Sequence, residues 1–201
     1  MKRPRSPRTH EERSSDTTER LVAAATRIFG ERGFAKTSID DINTATQLTR
    51  GAIYHHFEDK ADLFRAVFER KEVELAERIM DTARRHRDPW AGFQAGCIAF
   101  LEACLEPSVQ RIVLTDGPSV LGWERVREIE SKTTLALIEQ GIHRAIESGH
   151  LADRPVAPLA HLLLGALSEC AKGIARSGTP RAALRDAKAE VGRILDGLAQ
   201  R

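Results

Sequence analysis

Apolar positions recur at helical spacing along almost the whole chain. Leu21, Ala24, Ala25, Ile28 and Phe29 stand at i, i+3, i+4, i+7 and i+8, which predicts an amphipathic helix. Asp16 and Glu19 have the spacing of a capping box ahead of it, and Gly33, free to take positive φ, is expected to end it. Ser38 and Asp41 repeat the capping signature before Ile39, Ile42 and Ala45, a stripe for about two turns. A third start follows at once. Thr49 is suited to cap it, Leu48 and Ile53 occupy the two positions of a hydrophobic staple, and the helix from Arg50 to about His56 is roughly 10 Å long.

Asp59 opens a longer fourth helix on Leu63, Phe64, Val67 and Phe68. Asp88 and Pro89 match an N-cap and first helical position. The helix behind them is apolar on two sides, with Trp90, Phe93, Cys97, Phe100 and Cys104 on one and Ile98, Leu101 and Leu105 on the other, so it belongs in an interior. Pro107 and an Asp116-Gly117-Pro118 turn are expected to bracket a short segment. One long helix is then predicted through Trp123, Val126, Ile129, Leu137, Ile138 and Ile142 as far as Gly149. Pro158 starts another that ends near Gly178, and Thr179-Pro180 starts the last, through Val191, Ile194, Leu195 and Leu198. With no strand-like alternation and no internal repeat, the fold class is all-α, with about nine helices.

Composition narrows the class. The strongest apolar stretch, Leu159 to Leu167, is interrupted by His161 and is far short of the roughly 20 residues of a membrane span. The basic start is followed by polar residues rather than an apolar signal-peptide region, and three cysteines do not make a disulfide framework, so a cytoplasmic location is expected. Lys and Arg number 31 against 29 Asp and Glu, a net of +2. Lys2, Arg3, Arg5 and Arg8 lie in the first ten residues with no acid among them, which leaves a slightly acidic body behind a basic tail. That tail is either a solubilising start or an arm for a polyanion. There is no Gly-rich phosphate loop, nucleophile elbow, HExxH or Cys-x-x-Cys motif, so neither an enzyme nor a cofactor is expected. His55 and His56 point about 100° apart on a helix and do not grip one metal ion together. Cys97 and Cys104 read as small apolar fillers, with no basic neighbour in sequence to favour a thiolate.

The two short helices behind a longer one have the arrangement of a helix-turn-helix, whose second helix can enter the major groove of DNA. Arg50 can pair with guanine O6 and N7, and Gly51 and Ala52 let the backbone approach the duplex. Tyr54, the only tyrosine, shares a face with Arg50, and His55 pairs with Gly51 on its flank. Lys60, in the first turn of the fourth helix, is placed for a phosphate.

Thr37-Ser38-Ile39, then Leu48-Thr49-Arg50-Gly51-Ala52-Ile53-Tyr54-His55-His56-Phe57, then Lys60-Ala61-Asp62-Leu63 together resemble the N-terminal DNA-binding signature of TetR-type transcriptional regulators, over about residues 17 to 68. Asp116 to Trp123 also resembles a segment from one branch of that family. The resemblance implies an all-α homodimer, with a C-terminal helical domain for dimerisation and ligand sensing. It implies phosphate contacts from Thr37, Tyr54, His56 and Lys60, and base or groove contacts from Thr49, Arg50, Gly51 and His55. In the inter-helix turn, where the family usually has Ala-Gly, this chain has Thr46-Gln47. If that turn needs positive φ, Gln47 bears about 1 to 2 kcal/mol of strain.

The expected organisation is a basic flexible arm over 1–15, a DNA-binding domain over 16–62 and a ligand-binding and dimerisation domain over 63–201. Trp90, Phe93, Cys97, Phe100 and Trp123 fill the core or, if the body is hollow, line its cavity for a hydrophobic or aromatic small molecule. The stripes of the last two helices, with small residues Gly165, Ala166 and Gly173 between them, suit a four-helix contact between two subunits. The expected partners are thus double-stranded operator DNA, a small-molecule effector and a second copy of the chain. The alternative is a helical protein-interaction module that binds no DNA.

Overall fold

The computed structural model describes residues 10–199. Every regular element among them is helical. α1 (His10–Arg32), α2 (Ile39–Thr46), α3 (Arg50–His56), α4 (Lys60–Ala83) and α5 (Pro89–Ala103) follow the predicted order. Three pieces, Pro107–Val109, the π-helical Gln110–Asp116 and Gly117–Leu121, run on without interruption and together form α6. Then come α7 (Trp123–Glu130), α8 (Thr134–Glu147), α9 (Val156–Arg176) and α10 (Pro180–Leu198), so the described residues hold ten helices against about nine expected.

Where boundaries differ from the sequence pattern, local chemistry explains it. α1 starts at His10, so Asp16 lies inside it and is no N-cap; neither Gly nor Pro interrupts His10 to Phe29, and the helix runs back beyond its apolar stripe. Residues 10–15 therefore belong to α1 rather than to an arm, and the four cationic residues of the tail lie outside the described residues. Its other end is as expected, at Gly33 with φ 81°. No turn forms at Asp116-Gly117-Pro118. Gly117 N–H donates to Ile112 five residues back, and Pro118 sits in the first turn of the next helical piece, where a missing N–H costs nothing. The break comes at Gly122, with φ 79°. The long helix expected from Trp123 is divided at Ser131-Lys132-Thr133. There Ser131 Oγ donates to Glu128 O at 2.7 Å and Thr133 Oγ1 to Ile129 O at 3.0 Å, side chains competing with the helical ladder.

α1 packs against both α2 and α4, and α3 against α2, burying Leu21, Phe29, Ile42, Ile53, Leu63 and Phe64 completely. Phe64 meets both Phe29 and Phe34 edge-on at 5.2 Å. α4 then continues into the body, where it packs along α5; α5 in turn meets α8, α9 and α10. Leu101, Ile112, Ile142, Leu164 and Ile174 centre this second part of the core. One helix thus spans both regions, beginning under the short helices and ending against the body.

Candidate nucleic-acid interface and body cavity

The two short helices are fixed by local rules. Ser38 caps α2, its Oγ accepting from Asp41 N at 3.1 Å while its own N–H donates to Asp41 Oδ2 at 2.8 Å. The chain leaves α2 through Gln47 at φ 58°, ψ 25°, the left-handed turn a glycine would take without strain; among the described residues it is the one non-glycine with positive φ. Thr49 then caps α3, accepting from Ala52 N at 3.2 Å. Of the seven residues of α3 only Ile53 is buried; Ala52 and His56 are half-buried beside it, and Arg50, Gly51, Tyr54 and His55 are offered outward.

That outward face holds Thr49, Arg50, Gly51, Tyr54 and His55, all exposed, with Tyr54 at 52%. It is the set named from sequence for base and groove contacts, with Tyr54 beside it. Two features were not legible there. Arg50 is gripped by Asp40 of α2 in a two-point contact, Nε to Oδ1 at 2.7 Å and Nη2 to Oδ2 at 2.5 Å, and the guanidinium holds the Asp40 carboxyl below its ordinary range. His56 is half-buried, with Nδ1 3.2 Å from Thr18 Oγ1 of α1, so it ties α3 to the first helix.

Thr37 and Lys60 are differently employed from the phosphate contacts the resemblance implies. Thr37 is 2% exposed and its hydroxyl donates to Gly33 O at 2.8 Å. Lys60 Nζ donates to Phe34 O at 3.0 Å and Thr37 O at 2.9 Å and lies 4.1 Å from the centre of the Phe34 ring. It clamps the α1–α2 loop onto α4 with two of its three N–H groups. The same loop is tied to the body by Phe34 N–H, which donates to Asp116 Oδ2 at 2.7 Å.

In the body, α4, α5, α8 and α9 enclose a cavity of about 250 Å³. Phe93, Cys97 and Phe100 line it. Trp90 does not: it is buried behind, its ring stacked on Phe93 at 5.5 Å. Trp123 is neither core nor lining. Gly122 ends α6 just before it, and the indole is 63% exposed with the Arg127 guanidinium 4.7 Å above its ring. Burial pushes the Cys97 thiol up to about 12, so the cavity meets it as a neutral, apolar group. Cys104, also buried, is likewise pushed up to about 12.

Beside the cavity lies a group the sequence reading missed. Glu72 of α4 is 1% exposed, and its Oε2 accepts from Thr134 Oγ1 at 3.1 Å and from Thr133 Oγ1 at 2.9 Å, whose single proton it shares with Ile129 O. Burial, with the nearby Glu130 carboxylate acting in the same direction, pushes its carboxyl from 4.5 up to about 7. Its position held a signal: four after Phe68 and three before Leu75, it is an acid on the apolar stripe of its own helix. Among the described residues, no group of His, Cys, Asp and Glu is arranged to hold a metal, and no helix is long and apolar enough to cross a membrane.

Known proteins share this architecture. Residues 21–67 match the family model described as bacterial regulatory proteins, tetR family, and residues 90–198 match the tetracyclin repressor-like C-terminal domain. A TetR-family transcriptional regulator from Pectobacterium atrosepticum is 37% identical and superposes with a TM-score of 0.83 over 96% of this chain and 99% of its own. The HTH-type transcriptional repressor BepR of Brucella suis is 33% identical over 103 residues, 51% of this chain and 49% of that protein, so the match spans about half of the relative's length. The regulator FadR of Bacillus subtilis, solved with stearoyl-CoA, shares the fold at 15% identity, with a TM-score of 0.70 over 90% of this chain and 97% of its own.

Proposed function

Since the chain belongs to the TetR family of regulatory proteins, we propose that it is a dimeric repressor that binds a pseudo-palindromic operator and is released by a small molecule. The observation that carries this is α3: one buried anchor, Ile53, under an exposed face of Thr49, Arg50, Gly51, Tyr54 and His55. A dimer places two such helices in successive major grooves, about 34 to 36 Å or somewhat more apart. Tyr54, His55 and the third N–H of Lys60 supply phosphate or groove contacts around Arg50.

The outer faces of α9 and α10 support the dimer. Leu162 and Ile194 are 71% and 56% exposed, large apolar side chains that a second subunit would cover, and Gly165, Gly173 and Gly192 face open space beside them. The effector is assigned to the cavity lined by Phe93, Cys97 and Phe100. α4 couples the two ends, because Lys60 holds the DNA-binding loop at its start while Ile79 and Met80 wall the cavity near its end. A ligand that binds the non-DNA conformation more tightly shifts α4 and changes the separation of the two α3 helices; equal affinity for both states would shift nothing. A cytoplasmic location follows from this role.

Gel shift with the DNA upstream of the protein's own gene tests the reading. Saturable, salt-sensitive retention is expected, and Arg50→Ala is expected to lose about ten- to a hundredfold on the selected fragment but little on random DNA. No retention by the wild type points to the interaction-module alternative.

A further inference from the structure

The cavity has two chemically different ends. α4 and α5 lie closely side by side, since a Cβ on Gly92 would stand 2.9 Å from Ala83 O and one on Gly96 would stand 3.3 Å from Ile79 Cγ2. From the other side Gly141 of α8 admits the Phe93 ring, which would be 2.2 Å from any Cβ there. These contacts set Ala83, Phe93 and Gly141 at one level. Above it the lining is polar and exposed: His86 and Arg87 from the α4–α5 loop, Gln140 and Arg144 from α8. Below it the walls are Ile79, Cys97, Phe100, Ile138, Leu164 and Leu167, down to Thr134.

The charges at the open end do not cancel. Asp88 is the acid among the lining residues, and both its oxygens are engaged, Oδ2 accepting from Ala91 N at 3.0 Å and Oδ1 lying 3.1 Å from His150 Nε2. Arg84 stands 3.8 Å from Asp81. Arg87 and Arg144 have no carboxylate within ion-pairing distance among the described residues. A guanidinium at the rim of an apolar cavity is suited to a planar anion that it can meet with two parallel hydrogen bonds.

Building on the assignment of the cavity as the effector site, we infer that the effector is a small amphipathic acid. Its carboxylate sits between Arg87 and Arg144, and its apolar or aromatic body passes Phe93 to lie against Phe100 and Leu164. The volume of about 250 Å³, just below the roughly 300–1,000 Å³ of drug-sized pockets, suits a small body such as a single ring or a short chain. This narrows the hydrophobic or aromatic effector expected from sequence to one with a negative end.

Calorimetric titration of the full chain with probe pairs that differ only in charge tests this: benzoate against benzamide, and 3-phenylpropanoate against 3-phenylpropanamide. The expected result is that at least one acid binds about tenfold or more tightly than its amide. The double variant Arg87→Gln, Arg144→Gln should erase the preference while keeping amide affinity, and Cys97→Phe, which fills the cavity, should weaken both members of a pair. The proposal is overturned if the amides bind as well as the acids, if the preference survives in the double variant, or if no acid binds. Each of these leaves the regulator reading standing as long as the same preparation retains upstream DNA in the gel shift; loss of that retention in the wild type is what overturns the regulator reading.

Discussion

Arg50 of the second helix-turn-helix element is held by Asp40 of the first, through paired contacts of 2.7 and 2.5 Å across two exposed side chains. Asp40 presents to Arg50 the same two-acceptor edge that guanine O6 and N7 present in a major groove. It holds the guanidinium plane in place, and on the proposed base-reading role of Arg50 a base would have to displace it.

Asp40→Asn removes that competitor along with a negative charge near the phosphates. Binding to random DNA is expected to tighten several-fold, and the ratio of selected to random affinity to fall. Gel shifts at three salt concentrations measure both; an unchanged ratio would show that Asp40 takes no part in selectivity.

Gln47 holds a left-handed conformation that disfavours an L side chain by about 1 to 2 kcal/mol, part of which glycine returns through its own greater loss of freedom on folding. Gln47→Gly is therefore expected to stabilise the fold by roughly 0.5 to 1 kcal/mol. Gln47→Val should destabilise it. Urea denaturation decides the sign.

Lys60 donates to two loop carbonyls and covers the Phe34 ring. Lys60→Met is expected to cost about 1 to 2 kcal/mol of stability, since those carbonyls lose a charged donor. Thermal melting without DNA checks this. An unchanged melting temperature together with a flatter salt dependence of DNA binding would make Lys60 a phosphate contact alone.

Glu72 gives the stability a pH signature. Its carboxyl sits near 7 folded against 4.5 unfolded, so between those values the folded chain keeps a proton that the unfolded chain has released. Stability should fall as pH rises from about 4.5 to about 7 and change no further above it, by up to about 3 kcal/mol from this group. Glu72→Gln, whose amide oxygen still accepts from Thr133 and Thr134, should match the wild type near pH 5 and exceed it at pH 8. Equal differences at both pH values in denaturant titrations would contradict this.

Leu162 tests the subunit contact. Leu162→Arg puts a charge on the exposed stripe of α9, and light scattering should show the mass halved while circular dichroism stays helical. A variant that remains dimeric would place the interface elsewhere.

Much of the fold was legible because helix starts are decided within three residues. Ser38, Thr49, Asp59 and Asp88 each cap the helix their spacing announced, and the staple pair Leu48 and Ile53 packs inward. The exposed face of α3 was legible for the same reason, since one apolar anchor in a short helix dictates which side is left outside. The start of α1 and the division between α7 and α8 were not. Helix-permissive polar residues extended the first beyond its apolar stripe, and serine and threonine hydroxyls together with Glu72 interrupted the second.

The sequence alone thus determined most of the helices, their order and the face that α3 presents, because caps and periodicity act between neighbours in the chain. Tertiary structure decided what each polar group is for. Lys60 found its carbonyls 23 and 26 residues back, and Glu72 met hydroxyls 61 and 62 residues ahead. Trp123 was left on the surface with Arg127 over its ring, while Phe93, Cys97 and Phe100 became walls of a cavity only when α8 and α9 closed over them. Hydrogen bonds, charge pairing and enclosure depend on groups meeting in space, and their partners here lie far apart along the chain.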